Sequence, residues 1–167
     1  KQCGCCLSFL LKDFAGVCGL KGLSETELVG KTFDGETLDI TTLERTQYGI
    51  TGDKSEVFYT EILKKYPFPE FEGEKYVTPC VVWDKIAFDG YKLRFFNEIN
   101  YICEYLPDGL TNRFWDLLNR NPQGYSVYLY QCGAYGKIQG LEKWNAFADF
   151  FYKHRKFFSF SKICKML

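Results

Sequence analysis

A chain of 167 residues with 21 basic and 21 acidic side chains has no formal net charge, so the basic surplus of a nucleic-acid binder is missing and nucleic acid is not an expected partner. Hydrophobic residues at 46% supply a core at this length, and no run approaches the roughly 20 apolar residues that a spanning helix requires. Aromatic residues reach 19%, which serves core and interface packing and also suits stacking on sugar rings. Lys1 is not an initiator Met and no signal peptide follows it, so the chain is expected to begin inside a longer product or to have been processed.

The eight cysteines do not form a disulfide framework on this reading. Cys3, Cys5 and Cys6 are bunched, whereas Cys18, Cys80, Cys103, Cys132 and Cys164 stand singly in apolar surroundings. They read as free buried thiols of a reducing compartment, which places the chain in the cytoplasm. The Cys3-Gly4-Cys5-Cys6 cluster lacks paired C-x-x-C spacing, and the single histidine, His154, is remote in sequence, so no metal ligand set is assigned.

Residues 5–11 and 14–20 are apolar runs of strand length split by Lys12-Asp13, and they read as a hairpin or two neighbouring strands. Residues 24–39 are polar with turn signals at Gly30 and Asp34-Gly35, and fit a loop. Thr41 or Thr42 is expected to cap a short helix through Gln47 that Gly49 stops. Residues 52–59 mix charges with Val57 and Phe58 and lead into a helix over 60–65, ended by Pro67 and Pro69. Residues 75–88 have apolar side chains at helical spacing, with Pro79 in the first turn and Gly90 as the stop.

Two strands are expected at 91–98 and 100–106, then a turn at Pro107-Asp108-Gly109 and a helix over 112–119 capped by Thr111 and broken at Asn121-Pro122. Residues 124–132 suit either helix or strand. From Leu141 the tail is amphipathic, with Phe147, Phe150, Phe151, His154, Phe157 and Phe158 predicted on one face. The whole reads as an α/β or mixed α+β protein.

The richest polar constellation is Glu70-Phe71-Glu72-Gly73-Glu74-Lys75, between a Pro-rich extended stretch and the start of the 75–88 helix. A carboxylate at a helix N-terminus stays ionised against the free backbone N–H groups and the positive dipole end. An ionised carboxylate at such a junction is a candidate base for an alcohol, or simply a complement to the dipole.

Gly52-Asp53-Lys54-Ser55-Glu56-Val57-Phe58, Ile62-Leu63-Lys64-Lys65-Tyr66-Pro67-Phe68-Pro69 and Glu72-Gly73-Glu74-Lys75-Tyr76-Val77 follow one another in an order similar to one bacterial group of family 2 glycosyltransferases of the GT-A type. The likeness continues through Val82-Trp83-Asp84-Lys85-Ile86-Ala87, Phe96-Asn97-Glu98 and Tyr105-Leu106-Pro107-Asp108-Gly109-Leu110-Thr111, about sixty residues in all. The resemblance implies an inverting transfer from a nucleotide sugar to a glycan or lipid-linked acceptor. A carboxylate base precedes an acceptor-side helix, and a D-x-D motif holds Mg or Mn in the full enzyme. Gly73-Glu74-Lys75 occupies the place of the family's Gly-Glu-Asp-like motif, which makes Glu74 the first candidate base and Glu72 the second. Lys75, beside a phosphate or Glu72, Trp83, offering a ring face to a sugar, and Asp108, lining the acceptor cleft, are the substrate-binding candidates under the same resemblance. Many relatives use the residue that stands here as Lys75.

The sequence has no D-x-D, and Asp34, Glu36 and Asp39 have the wrong spacing for one. Gly16, Gly19 and Gly22 match no phosphate-binding fingerprint. The resemblance therefore implies a partial GT-A-like fold: residues 1–111 form the acceptor-side half and 112–167 a mainly helical extension, with no cofactor of its own and no transfer when alone. A non-catalytic glycan- or partner-binding module is the alternative. So is a structural module that dimerises through a strand edge expected within residues 5–20. Lys153, Arg155, Lys156, Lys162 and Lys165 beside the Phe-rich face leave peripheral contact with the inner face of a membrane as an alternative to packing of the tail on its own core.

Overall fold

The structure is a computed structural model that describes residues 13–158. Its mixed α and β content agrees with the sequence reading: a four-stranded mixed sheet with helices. The chain divides into two compact units, one built from the chain as far as Pro67 with Ile86–Glu104, the other from Phe68–Lys85 with the chain from Tyr105 onward. The predicted strand at 5–11, the Cys3–Cys6 cluster, and Cys164, Lys162 and Lys165 lie outside the described residues.

The first unit contains β1 (Phe14–Gly22), β2 (Thr37–Ile40), a 3-10 helix (Thr42–Tyr48), β3 (Lys54–Phe58), α1 (Thr60–Leu63) and β4 (Lys92–Ile102). The strand order is β2-β4-β1-β3; β1 runs parallel to β4 and antiparallel to β3, and β2 runs antiparallel to β4. β1 is therefore an interior strand, which corrects the edge expected at residues 5–20 for its 14–20 part, residues 5–12 lying outside the described residues: among the described residues the edges are β2 and β3. β1 is the natural centre because Ala15, Cys18 and Leu20 are buried with Ile40, Ile50, Ile62, Ile86, Leu93 and Phe95. Burying each larger apolar side chain contributes about 1.5–3 kcal/mol. At the β1–β3 crossing the backbones approach so closely that a methyl group on Gly16 would overlap the Val57 carbonyl oxygen.

The 3-10 helix matches its prediction. Thr41 precedes it, Glu44 accepts from the Thr41 N–H and hydroxyl at 2.8 Å each, and Gly49 ends it at φ 70°. Three readings are corrected. Residues 37–39, read as the end of a polar loop, belong to β2, which pairs with β4. Residues 54–58 are a strand, not merely the approach to a helix, and Lys54 is 1% exposed within it. Its ammonium donates to the carbonyls of Thr51 (2.5 Å), Val29 (3.1 Å) and Asp53 (3.3 Å), so its charge is buried only in company. The strands expected at 91–98 and 100–106 are one strand, β4, carried through Asn97 and Asn100 by shifts in its register with β1. Asn97 donates to the carbonyls of Phe33 (2.9 Å) and Gly35 (2.5 Å), which ties the 33–36 loop to β4.

The second unit holds most of α2 (Cys80–Phe88), then α3 (Phe114–Arg120), α4 (Pro122–Ala134) and α5 (Gly140–His154). α2 is shorter than the predicted 75–88: Pro79 disfavours helical backbone at Thr78, and the amides of Lys75 and Tyr76 go to Asn121. α3 starts two residues later than a Thr111 cap allows. The chain before it is committed to a turn, with Gly109 N–H on Leu106 O at 2.9 Å and Asn112 Nδ2 on the same oxygen at 2.8 Å. Asn121 ends α3 and Pro122 opens α4 at the position where its missing N–H costs nothing. The undecided 124–132 segment is helical, and α5 follows the predicted amphipathic tail.

The core of this unit is Leu118, Tyr125, Leu129, Phe147, Phe150 and Phe158. Tyr125 meets Phe150 edge-on at 5.0 Å, and His154 lies 4.9 Å from the Phe150 ring centroid. Of the predicted aromatic face, Phe157 is the exception: it is exposed, while Phe158 turns inward. No helix among the described residues is long and apolar enough to cross a membrane.

Candidate functional site

Phe71-Glu72-Gly73-Glu74 forms a β-turn, closed by the Glu74 N–H on the Phe71 carbonyl at 3.1 Å, with Gly73 at φ 79° in the third position. That left-handed conformation is the one a type II turn demands, and Gly accepts it without strain. Glu72 projects from the second position and is exposed.

The Glu74 side chain reaches to α4. Its Oε1 accepts the Gln123 N–H at 2.6 Å and its Oε2 the Gly124 N–H at 2.8 Å. These are amides of the helix's first turn, which have no partner within the helix. The sequence reading placed Glu74 at a helix N-terminus, and it is at one, but at that of α4 rather than that of the helix that follows it in sequence. A reciprocal brace lies beside it. Asn121 Oδ1 accepts the N–H groups of Lys75 (2.8 Å) and Tyr76 (3.2 Å), while its Nδ2 donates to the Leu117 carbonyl at 2.7 Å. The 72–76 turn is thus fixed to the α3–α4 junction on two sides.

Glu72, Glu74 and Lys75 share this anchored turn, and Lys75 is exposed on it. Trp83 and Asp108 belong to other elements. Trp83 is half-buried on α2 and meets Phe68 edge-on at 5.8 Å. Asp108 is exposed in the 107–109 turn. Beside Trp83 the buried Asp84 pairs with Lys137 Nζ at 2.8 Å. Burial works against the Lys137 ammonium, yet the charge and hydrogen bond of Asp84 outweigh it and hold its pKa above the usual lysine value. Sequence reasoning missed this pair and Asn121. An acid inside the apolar run Val81-Val82-Trp83-Asp84 was the one available signal.

The acids nearest to a cation motif do not converge on a common point. Asp39 is taken by Arg94, through Nε at 2.8 Å and Nη2 at 2.7 Å, and that guanidinium holds its carboxyl below the usual range. Among the described residues no three His, Cys, Asp or Glu side chains are grouped to hold a metal ion. Cys18, Cys80, Cys103 and Cys132 are not in disulfides. Comparison with family models, with curated proteins and with solved structures gives no match for this chain.

Proposed function

We propose that this chain supplies the acceptor side of an inverting glycosyltransferase whose sugar-nucleotide and cation sites lie on a part outside this sequence. The single observation that supports this reading is the doubly anchored turn at 72–76. Glu74 acts there as a positioning residue and Glu72 as the base, because both Glu74 oxygens already accept backbone amides while Glu72 stands free at the turn's second position. In the reaction Glu72 removes the proton of the acceptor hydroxyl as that oxygen bonds to the anomeric carbon. The bond to the nucleotide diphosphate breaks on the opposite face, which inverts the centre.

The test is transfer by the chain joined to a domain that carries the nucleotide-sugar and cation sites. Glu72→Gln abolishes kcat with little change in acceptor binding, and Glu74→Gln weakens both. Calorimetric titration of this chain alone with nucleotide sugars gives no binding; a nucleotide-sugar complex of this chain alone overturns the assignment of the donor site to another part.

The second reading is a non-catalytic glycan- or partner-binding module, and the use of Glu74 as a helix cap favours it. Its mark is acceptor binding that Glu72→Gln leaves untouched, with no transfer by the joined protein.

A further inference from the structure

Helix α5 is apolar along two lines. Phe147, Phe150 and His154 point into the core of the second unit and account for one of them. The other carries Leu141, Trp144, Ala148 and Tyr152, at spacings of three, four and four residues, which line up along one side of a helix. Leu141 is 75% exposed, Trp144 60% and Tyr152 69%. Arg155 closes the line, its guanidinium 4.8 Å from the Tyr152 ring centroid. An aromatic and aliphatic line of this kind marks an interaction surface.

The line is symmetric about Ala148. Trp144 and Tyr152 stand four residues to either side of it, Leu141 and Arg155 seven. A two-fold axis at Ala148 therefore sets Trp144 of one copy against Tyr152 of the other, and the small central side chain lets the helices approach. Charge agrees with the same axis. Glu142 lies on one flank near the start of α5, Lys153 lies on that flank near its end, and Lys156 follows in the turn after the helix. The axis keeps the flank on the same side in both copies and reverses its direction, which brings Glu142 of each copy to the Lys153–Lys156 end of the other. Asp149, next to the centre, is neutralised within its own chain by Lys153 at 2.7 Å. Glu142 and Asp149 count against an anionic bilayer as the occupant, whereas a second copy uses them.

We propose that α5 is a homodimerisation surface, packing antiparallel against α5 of a second copy about a two-fold axis at Ala148. The contact is isologous, so one patch serves both copies. It does not depend on the glycosyltransferase reading.

Sedimentation equilibrium of the full chain over a wide concentration range tests this. The expected mass rises with concentration toward twice 19.5 kDa. Ala148→Glu places like charges together at the axis and weakens association by about tenfold or more. Glu142→Lys and Lys156→Glu each weaken it when alone, and mixing the two variant chains recovers part of it, since positions 142 and 156 then face each other with opposite charge while Lys153 is unchanged. Circular dichroism confirms that each variant is folded. A strict monomer at the highest concentration overturns the proposal, as does a dimer indifferent to Ala148→Glu or a mixture that fails to recover. Co-sedimentation of a monomeric chain with phosphatidylserine vesicles, lost on Trp144→Ala, overturns it in favour of a bilayer.

Discussion

Glu74 and Gly124 are fitted to each other from both directions: the Glu74 carboxylate accepts the Gly124 N–H at 2.8 Å, and a methyl group added to Gly124 would lie 3.0 Å from the Tyr76 carbonyl oxygen. The cap and the close backbone approach make one joint. Glu74→Ala strands the Gln123 and Gly124 amides and costs about 1–2 kcal/mol, the ordinary range for a lost helix cap. Glu74→Gln keeps an acceptor for one amide and falls in between. Urea unfolding measures both, and an unshifted midpoint for Glu74→Ala would remove the capping role.

Asn121 holds the other side of the same segment, so its loss is coupled to that of Glu74. Asn121→Ala removes two hydrogen bonds to the 75–76 backbone and one to Leu117. Once either residue is gone, the 74–76 segment is already loosened and the second has less to hold. A double-mutant cycle therefore shows the pair of substitutions costing less than their sum, by about 0.5–1 kcal/mol. Strict additivity contradicts the shared brace.

How much of this was legible depended on whether the signal was local. The 3-10 helix was readable because Thr41, Glu44 and Gly49 sit within nine residues of one another and each serves its own end. The break between α3 and α4 was readable from Asn121-Pro122 for the same reason. β3 was not, because Lys54 is buried where strand alternation predicts an apolar residue, and its carbonyl partners Val29 and Thr51 come from other loops. Glu74 was found as a candidate from motif resemblance, but its partners lie 49 and 50 residues onward, beyond the reach of spacing rules. The interior position of β1 could not be read from its own residues either, since it depends on β4 arriving parallel to it.

Gly16 is where the sheet leaves no room. Its Cβ position coincides with the Val57 backbone on the antiparallel neighbour, and a carbonyl within a ladder cannot swing aside as a flexible side chain can. Gly16→Ala separates β1 from β3 and costs more than about 3 kcal/mol, at the severe end for single substitutions. Gly35→Ala, where no atom lies within 4 Å of the new Cβ, carries only the conformational strain of φ 110° and is the control. Equal melting temperatures for the two variants would contradict the close approach.

His154, the chain's only histidine, is buried against Phe150 and Tyr125 with Nε2 at 3.2 Å from Asn119 Oδ1. Burial, and then the neighbouring Lys153, hold its pKa below the ordinary 6.5. As pH falls through 6.5 the unfolded chain takes up a proton that the folded chain refuses, so stability declines until the folded value is passed. The slope cannot exceed about 1.4 kcal/mol per pH unit. His154→Phe keeps an aromatic ring in the cluster and removes this acid-side slope. Titrated thermal melts from neutral pH downward compare the two, and parallel curves would mean His154 is not the group responsible.

Cys18 sets the opposite limit. Its thiol is fully buried in the sheet, and burial, reinforced by the Glu56 carboxylate, pushes its pKa from 9.0 to about 12. Between those values the unfolded chain has lost the proton that the folded chain keeps. The unfolded state therefore binds fewer protons, and stability falls as pH rises, at up to about 1.4 kcal/mol per pH unit. Tyr66, raised from 10.0 to about 12, adds to the loss one unit later. Cys18→Ala lowers stability at neutral pH by the ordinary cost of a small cavity, so the comparison rests on slopes rather than on absolute values. Between pH 9 and 10, before the tyrosine contributes, the Cys18→Ala curve descends less steeply than the parent, the slope that remains coming from Cys132, whose thiol burial also raises above 9.0. Denaturant titrations at closely spaced pH values in that interval read the difference, and two parallel descents would place the alkaline sensitivity in another group.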